Sequence, residues 1–416
     1  MPARPLVWSA GSRQAVLAAA LLLCAGCSSM TWLRPMRVFE NPRSPNFNVG
    51  LEGYRDVVGV IHVHTTYSHD AHGAFEDAIR AANAQRLDFV IFTEHNNLRA
   101  LVEGRQGWHG GTLALIGMEI SAPGGHYLAM NVTRELDYQH LSTQQIIDEV
   151  KGQGGFGFIA HPFFKKRQWT DDDVTGFTGI EGYNVAHDTL DENRARLALW
   201  TLTVPQDLFF YSIIDRPYDP LRRWDELIAQ RGQVVGIGST DAHEFHALGM
   251  KFAPYETLFR LSRTHLLVAS GDLTPEAVYD ALRQGHAYFS IEFLAEARGF
   301  TFTARRKTRV EGIMGDAVTF GPDLTLSVGL PAAAEIVLYK DGAAIGRTIA
   351  QTWDVPVTGP GAYRVEANRH DKPWIFSNPI YVGAAAEPEA APSAQESASS
   401  AGDVETHQPA EAPAQP

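Results

Sequence analysis

The chain has 416 residues, of which 44% are hydrophobic, and its formal net charge at pH 7 is −13. This length is enough for two or three globular domains, and the negative charge argues against stable nucleic-acid binding, which depends on cationic contacts to phosphates. Both cysteines, Cys24 and Cys27, lie near the N-terminus. A disulfide framework in the folded body is therefore excluded.

Residues 1–27 have the pattern of an export signal. Basic residues precede a short apolar run, residues 15–24, and two small residues come directly before Cys27. The run is too short for a comfortable membrane span. The segment resembles a bacterial lipoprotein signal, with Cys24 where that motif usually has leucine. We therefore expect export to the cell envelope and a membrane anchor through lipidation of Cys27. The alternative is ordinary cleavage and a soluble periplasmic protein.

Alternating strand and helix patterns follow a Pro- and Asn-rich tether over residues 28–54. Between residues 55 and 298 this alternation favours a parallel α/β sheet or barrel, with its chemistry at the carboxyl ends of the strands. Strands are predicted at residues 57–63, 88–93, 112–118, 127–132, 155–160, 178–183 and 233–238. Helices are predicted at residues 74–85, 143–151, 191–200 and 221–230, and a further one starting at Thr274-Pro275.

The pattern changes after residue 298. Short strands, among them residues 325–330 and 335–339, are separated by turn signals such as Lys340-Asp341-Gly342. They predict a small antiparallel β-sandwich over residues 299–383. Residues 384–416 lack aromatic side chains and are rich in Ala, Pro and Glu, so we predict a disordered tail.

Histidine and acidic residues recur where the predicted strands begin or end. His62 and His64 close the first strand, and alternate residues of a regular strand lie on the same face. Two such imidazoles can hold one metal ion, although the His-x-His motif alone is not specific. The other candidates are His69 or Asp70, Glu94, His95, Glu119, His126, His161, Glu181, Asp241 and His243.

Histidine and carboxylate ligands without cysteine suit zinc, manganese or iron. The number of candidates exceeds what one ion needs, so we expect two or three divalent ions with a bridging carboxylate. Such a centre can generate hydroxide at neutral pH and hold both the attacking and the leaving oxygen. The sequence therefore predicts a metal-dependent hydrolase.

Six motifs follow one another along the chain: His62-x-His64, Thr93-Glu94-His95, Gly117-Met118-Glu119-Ile120, His126, His161-Pro162 and Asp241-x-His243. This ordered set resembles the PHP (polymerase and histidinol phosphatase) family. The resemblance implies a distorted seven-stranded (β/α) barrel holding up to three metal ions. Together with the C-terminal sandwich, it makes the chain similar to the carbaryl-hydrolase-like branch of that family.

The resemblance also implies a role for each of these residues. We name Glu119, His161, Asp241 and His243 as catalytic, and Glu94 as a residue that orients a ligand or lies in the solvated loop. Tyr183 and Asn184 end a strand and are candidates for substrate contact, with core packing as the alternative for Tyr183. The implied metal ligands are His62, His64, Glu119 and Asp241 for one ion, Glu119, His126 and His161 for a second, and Asp70 (or His69), His95 and His243 for a third.

Three functions fit these predictions. The first is a phosphoesterase, in which a hydroxide bridging two metals attacks phosphorus. The second is a hydrolase of carbamates, esters or amides, which the branch-level resemblance implies and the same metals would serve. A small-molecule phosphoester, carbamate or ester is thus the expected substrate. The third is a non-catalytic binding protein of the envelope, against which the complete ligand set argues.

Overall fold

The protein is described from a computed structural model, which covers residues 51–190, 204, 206–247 and 250–383. The predicted export signal with Cys27, most of the tether, the predicted helix at residues 191–200 and the predicted disordered tail lie outside these ranges. Within them, no helix has the length and apolar character needed to cross a bilayer.

The described residues form strands β1–β20 and helices α1–α8. Strands β1 to β8 are Tyr54–Val63, Phe89–His95, Gly107–His109, Thr112–Ala122, Gly125–Met130, Phe156–Ile159, Gly179–Asn184 and Val235–Ser239. Strands β9 to β15 are Phe245–Ala247, Met250–Phe252, Arg263–Ala269, Ala287–Ser290, Thr301–Arg306, Arg309–Ile313 and Ala317–Thr319. Strands β16 to β20 are Leu324–Lys340, Ala343–Pro356, Gly361–Arg369, Lys372–Ser377 and Ile380–Gly383. Helices α1 to α8 are Phe75–Ala84, Arg99–Val102, Thr143–Gly152, Val185–Leu190, Gln206–Ile213, Tyr218–Arg231, Tyr255–Leu258 and Pro275–Gln284.

The first half of the chain forms a mixed sheet. Strands β1, β2 and β4 are parallel, β5 runs antiparallel between β4 and β6, and β6, β7 and β8 are parallel again. Just beyond β8, a parallel bridge joins Ala242 to Val63 of β1. The seven predicted strands are confirmed, whereas the predicted all-parallel order is wrong at β5. The closed seven-stranded barrel stays a prediction.

Local sequence signals explain several element boundaries. Helix α3 starts with a capping box, in which Ser142 accepts a hydrogen bond from the backbone of Gln145, whose side chain bonds back to the backbone of Ser142. Helix α8 starts as predicted, because Thr274 caps it and Pro275 occupies its first turn. It ends at Gly285, whose φ of 71° suits the left-handed cap.

The C-terminal strands continue the same hydrogen-bonded sheet. Strand β11 pairs with β1, β12 with β11, and β19 with β12, all antiparallel. The two short strands predicted at residues 325–330 and 335–339 are one long strand, β16, with an irregularity between Gly329 and Ala334. The predicted Asp341-Gly342 turn is confirmed, with φ of 49° and 79°. The separate β-sandwich stays a prediction.

Candidate metal centre

All nine predicted metal ligands lie at one edge of the sheet, at or near the ends of its central strands. The antiparallel direction of β5 explains why His126 joins the group. Strand β5 begins where β4 ends, so its second residue lies beside the carboxyl end of β4, opposite Ser121. In the parallel pair β2–β4, His95 is in register with Glu119. The nine residues are His62, His64, Asp70, His95, Glu119, His126, His161, Asp241 and His243.

Three of these ligands have left-handed backbone conformations that residues other than glycine rarely adopt. The φ angles are 67° at His62, 23° at His161 and 49° at Asp241. Strand β1 is also irregular between Ile61 and Val63, and it ends before His64. The prediction that the two histidines alternate along a regular strand is therefore wrong. The two imidazoles converge through a distorted strand end instead.

The first predicted metal set has the spacing of ligands around one ion. Nε2 of His62 lies 3.3 Å from Glu119 Oε2 and 3.4 Å from Asp241 Oδ1. Nε2 of His64 lies 3.2 Å and 3.4 Å from the same two oxygens. Ligand atoms about 2.1 Å from a tetrahedral zinc ion are separated by about 3.4 Å. These four contacts therefore match the edges of a coordination polyhedron.

Glu119 also faces a second set of histidines. Its Oε1 lies 2.6 Å from Nδ1 of His126 and 2.9 Å from Nε2 of His161. Its Oε2 faces His62 and His64, and it lies 3.0 Å from Nδ1 of His95. Because the two oxygens of one buried carboxylate point to different imidazole groups, Glu119 is placed to bridge two ions.

The third set is more exposed, and its geometry distinguishes between Asp70 and His69 as the ligand. Oxygens of Asp70 lie 3.2 Å from Nε2 of His95 and 3.5 Å from Nε2 of His243. The side chain of His69 is 81% exposed, and its Nε2 is 3.9 Å from Asp70. The geometry favours Asp70 over His69 as the ligand. Asp70 is itself 41% exposed, so this side of the cluster is open to solvent.

Buried ring nitrogens in the cluster fit the presence of cations. Among the described residues, Nε2 of His62, His64 and His126 and Nδ1 of His161 are buried without a hydrogen-bond partner, as is Oε2 of Glu119. Buried polar atoms are normally paired. At His62, Nδ1 donates to Oε1 of Glu181 at 2.7 Å, which leaves the lone pair on Nε2 facing the cluster. This donor set fits divalent zinc, manganese or iron.

Strong coupling of charges shifts the pKa values in the cluster. Burial disfavours a protonated His62, but Asp241, Glu119 and Glu181 outweigh it and raise its pKa well above the usual value. Burial likewise opposes protonation of His95, while Asp70 and Glu119 raise its pKa to about 10. A cation bound here would have to displace these protons, so its binding would weaken as the pH falls.

Residues around the cluster orient its ligands. Glu181 accepts hydrogen bonds from His62, from the backbone N–H of His161 at 2.6 Å and from Asn184 at 2.9 Å. Tyr183 packs in the hydrophobic core and is 2% exposed. Substrate contact by Tyr183 and Asn184 stays a prediction.

Sequence reasoning missed two kinds of residue at the cluster. Ser68 contacts two ligands, but a serine in a loop after His64 carries no signal that distinguishes it. Phe164 lies edge-on to His161, with ring centroids 5.6 Å apart, and Phe245 stacks on His243 at 6.0 Å. Both aromatic residues follow a ligand closely in the sequence, which is the signal that could have indicated them.

Comparison with known proteins finds a domain match over part of this cluster, with Asp241 and His243 outside the matched residues. Residues 61–199 match the family model for the PHP domain. A segment of 162 residues is 24% identical to an uncharacterised protein of Methanocaldococcus jannaschii and covers 36% of this chain and 94% of that protein.

Two solved bacterial structures are also similar to the chain. One is a two-domain protein from Bacteroides vulgatus that contains a predicted PHP-like metal-dependent phosphoesterase. It is 16% identical with a TM-score of 0.38, over 79% of this chain and 96% of that one. The other is a predicted metal-dependent phosphoesterase from Bifidobacterium adolescentis. It is 15% identical with a TM-score of 0.32, over 48% of this chain and 93% of that one.

Proposed function

We propose that this chain, whose residues 61–199 match the PHP domain, is a metal-dependent hydrolase that cleaves a small-molecule phosphoester. One observation carries the proposal. The two oxygens of the buried Glu119 face separate groups of imidazoles, at distances from 2.6 to 3.3 Å. A carboxylate in that position suits a centre of two or three ions better than a single structural ion.

The residues would have the following roles in hydrolysis. Bound divalent ions would polarise a phosphoryl oxygen and lower the pKa of a coordinated water. Glu181 and Glu119 hold the imidazoles in place, because both carboxylates are almost completely buried and each contacts more than one ligand. Substrate would approach from the side of Asp70 and His243, where the ligands are partly exposed. The proposed sets are His62, His64, Glu119 and Asp241, then Glu119, His126 and His161, then Asp70, His95 and His243.

Parallel assays on the mature protein test this function. We would measure initial hydrolysis rates for a phosphodiester, a phosphomonoester and an aryl carbamate, with and without chelator. The same rates would be measured for the double variant His62→Ala, His64→Ala. The matched control is His140→Ala, because this exposed histidine pairs with Asp137, outside the cluster.

We expect phosphate release that chelator abolishes, that the double variant loses by a factor of at least about 10³ and that the control retains. Cleavage of the carbamate alone would replace the phosphoesterase with the carbamate, ester or amide hydrolase. Metal binding without turnover of any of the three substrates would indicate a binding protein of the envelope.

We propose further that the protein is exported and anchored to the membrane by acylation of Cys27. The proposal rests on the apolar run and the small residues before that cysteine. An intact mass of the mature protein without acyl chains would favour the soluble periplasmic form.

A further inference from the structure

The hydroxyl of Ser68 lies at the meeting point of three groups in the candidate metal centre. Its oxygen is 2.6 Å from Oε2 of Glu94, 3.0 Å from the backbone nitrogen of His95 and 3.2 Å from Nδ1 of His64. Ser68 is 5% exposed. One buried serine therefore contacts two of the proposed metal ligands and a buried carboxylate.

The direction of each hydrogen bond follows from what the partners can do. The carboxylate of Glu94 only accepts, so Ser68 donates its single proton to it. The backbone N–H of His95 only donates, so it uses one lone pair of the serine oxygen. The remaining lone pair faces Nδ1 of His64, which must then carry a proton. This leaves the Nε2 lone pair of His64 directed at Glu119 and Asp241.

Glu94 is held firmly enough to fix this arrangement. It is 0% exposed, and its carboxylate accepts from the backbone N–H of Thr65 at 3.0 Å and from the Thr65 hydroxyl at 2.6 Å. These donors are neutral and lie next to His64 in the sequence. Rotation of Glu94 would break three buried hydrogen bonds, so Ser68 has a fixed acceptor for its proton.

We propose that Ser68 is a positioning residue that sets the tautomer of His64 and the place of His95 through its bond to Glu94. It couples two sets of ligands, because His64 belongs to the first set and His95 to the third. Glu181 performs the equivalent task at His62 through a direct carboxylate contact. The inference rests on the metal binding in the proposed function, but not on which substrate is hydrolysed.

Replacement of Ser68 tests the inference by metal affinity rather than by turnover. In Ser68→Ala, His64 loses the acceptor at Nδ1, so the competing tautomer with the proton on Nε2 becomes populated. We expect a 10- to 100-fold loss of affinity for zinc, measured by competition with a chelator, as for other residues that orient ligands. Ser68→Thr keeps the hydroxyl and should restore most of the affinity.

The matched control is Ser239→Ala. Ser239 is also buried, and its hydroxyl donates to the backbone oxygen of Tyr183 at 3.3 Å rather than to a ligand. A merely structural role for Ser68 predicts equal effects of the two alanine variants on zinc affinity. Equal losses, or an Ser68→Ala affinity within about twofold of the wild type, would overturn the proposal.

A direct measurement of the tautomer needs no variant. In the zinc-loaded wild-type protein, long-range ¹H–¹⁵N correlation spectra should show a proton on Nδ1 and not on Nε2 of His64. A proton found on Nε2 would overturn the inference even if Ser68→Ala failed to fold. Failure of the wild type to hydrolyse any substrate would contradict only the proposed function, because affinity and tautomer are measured without turnover.

Discussion

Glu119 is the residue that links the imidazoles of the cluster into one centre. Burial opposes ionisation of its carboxyl group, but His62, His126 and His161 hold its pKa well below the usual value. The carboxylate of Glu119 is therefore ionised although the residue is only 1% exposed, and the neighbouring histidines rather than solvent stabilise its charge. Removing this charge should affect more than one ion.

Glu119→Gln tests the bridging role. The amide keeps the size of the side chain but is neutral and has only one acceptor oxygen, so it cannot bridge two cations. We expect the loss of at least one bound ion per chain and a fall in affinity for the rest by more than about 100-fold. Metal content by mass spectrometry is the measurement. The control is Glu149→Gln, because Glu149 is exposed and pairs with Arg134. Full metal content in Glu119→Gln would contradict the bridging role.

At the scale of single residues, the sequence predicted which side chains gather but not how they are oriented. Spacing at strand ends indicated His62, His64 and Asp241, because parallel strands end at one edge of a sheet. The contacts of Ser68 depend on how a loop folds back toward β2, which periodicity does not encode. The choice of Asp70 over His69 depends on the same loop.

At the scale of elements, the assumption of regular strand geometry predicted the strands correctly but not the backbone conformation at their ends. Apolar runs predicted β1, β2 and β4, because burial of both faces selects such runs. Left-handed residues at the ends of the strands, such as His62, break the alternation that the prediction assumed. The same reasoning missed β11 and β12, whose buried faces contain polar residues such as His265 and Ser290.

The cluster around His265 joins three strands away from the metal centre. Both ring nitrogens of this fully buried histidine face carboxylates, Asp56 at 3.1 Å and Glu292 at 3.1 Å. Burial disfavours the imidazolium, but the two carboxylates outweigh it and raise the pKa of His265 above 6.5. Asp56 lies on β1 and His265 on β11, while Glu292 follows β12, so one proton stabilises the contact between these elements.

The contribution of the cluster around His265 to the stability of the folded protein should decrease as the pH rises. Because the pKa of His265 is higher in the folded than in the unfolded protein, protonation of His265 stabilises the folded state. This stabilisation is complete below pH 6.5 and is lost as the pH rises through the pKa of the folded state. His265→Gln should therefore destabilise the protein by about 3–5 kcal/mol at pH 6 and by less at pH 9. Urea unfolding of metal-saturated wild type and variant at both pH values measures the difference.

Taking the difference removes the pH dependence of the metal centre, which both proteins share. His140→Gln is the control, because this exposed histidine pairs with the exposed Asp137. A gap between wild type and His265→Gln that is equal at pH 6 and pH 9 would show that folding does not raise the pKa of His265.

At the scale of the whole molecule, the sequence predicted a boundary between residues 298 and 299 from a change in strand pattern. The described strands continue across it, because β12 pairs with both β11 and β19. Arg216 before α6 also forms two hydrogen bonds of 2.7 Å with the buried Glu366 of β18. Pattern alone could not reveal this connection, because strand pairing between distant segments leaves no periodic signal.

Asn378 is a buried polar residue that joins the two halves directly. Its side chain accepts from the backbone N–H of Gly236 at 2.8 Å and donates to the backbone oxygens of Gly236 and Ala287 at 2.9 and 3.0 Å. A bridge of this kind between β8, β12 and the segment before β20 makes separate unfolding of the two halves costly. We therefore expect one cooperative transition in calorimetry, with the van't Hoff and calorimetric enthalpies in agreement.

Asn378→Ala tests whether the halves share their stability. The change leaves the backbone N–H and oxygen of Gly236 unpaired, at about 1–3 kcal/mol each, whereas the oxygen of Ala287 keeps its bond from the backbone N–H of residue 378. The melting temperature of the whole transition should therefore fall. Asn368→Ala is the matched control, because this asparagine bonds to Glu335 within the C-terminal strands. If Asn378→Ala instead resolves a second transition while the other stays in place, the two predicted domains unfold independently. The metal centre would then keep its ions after the C-terminal strands have melted, whereas a shared transition requires both to be lost together.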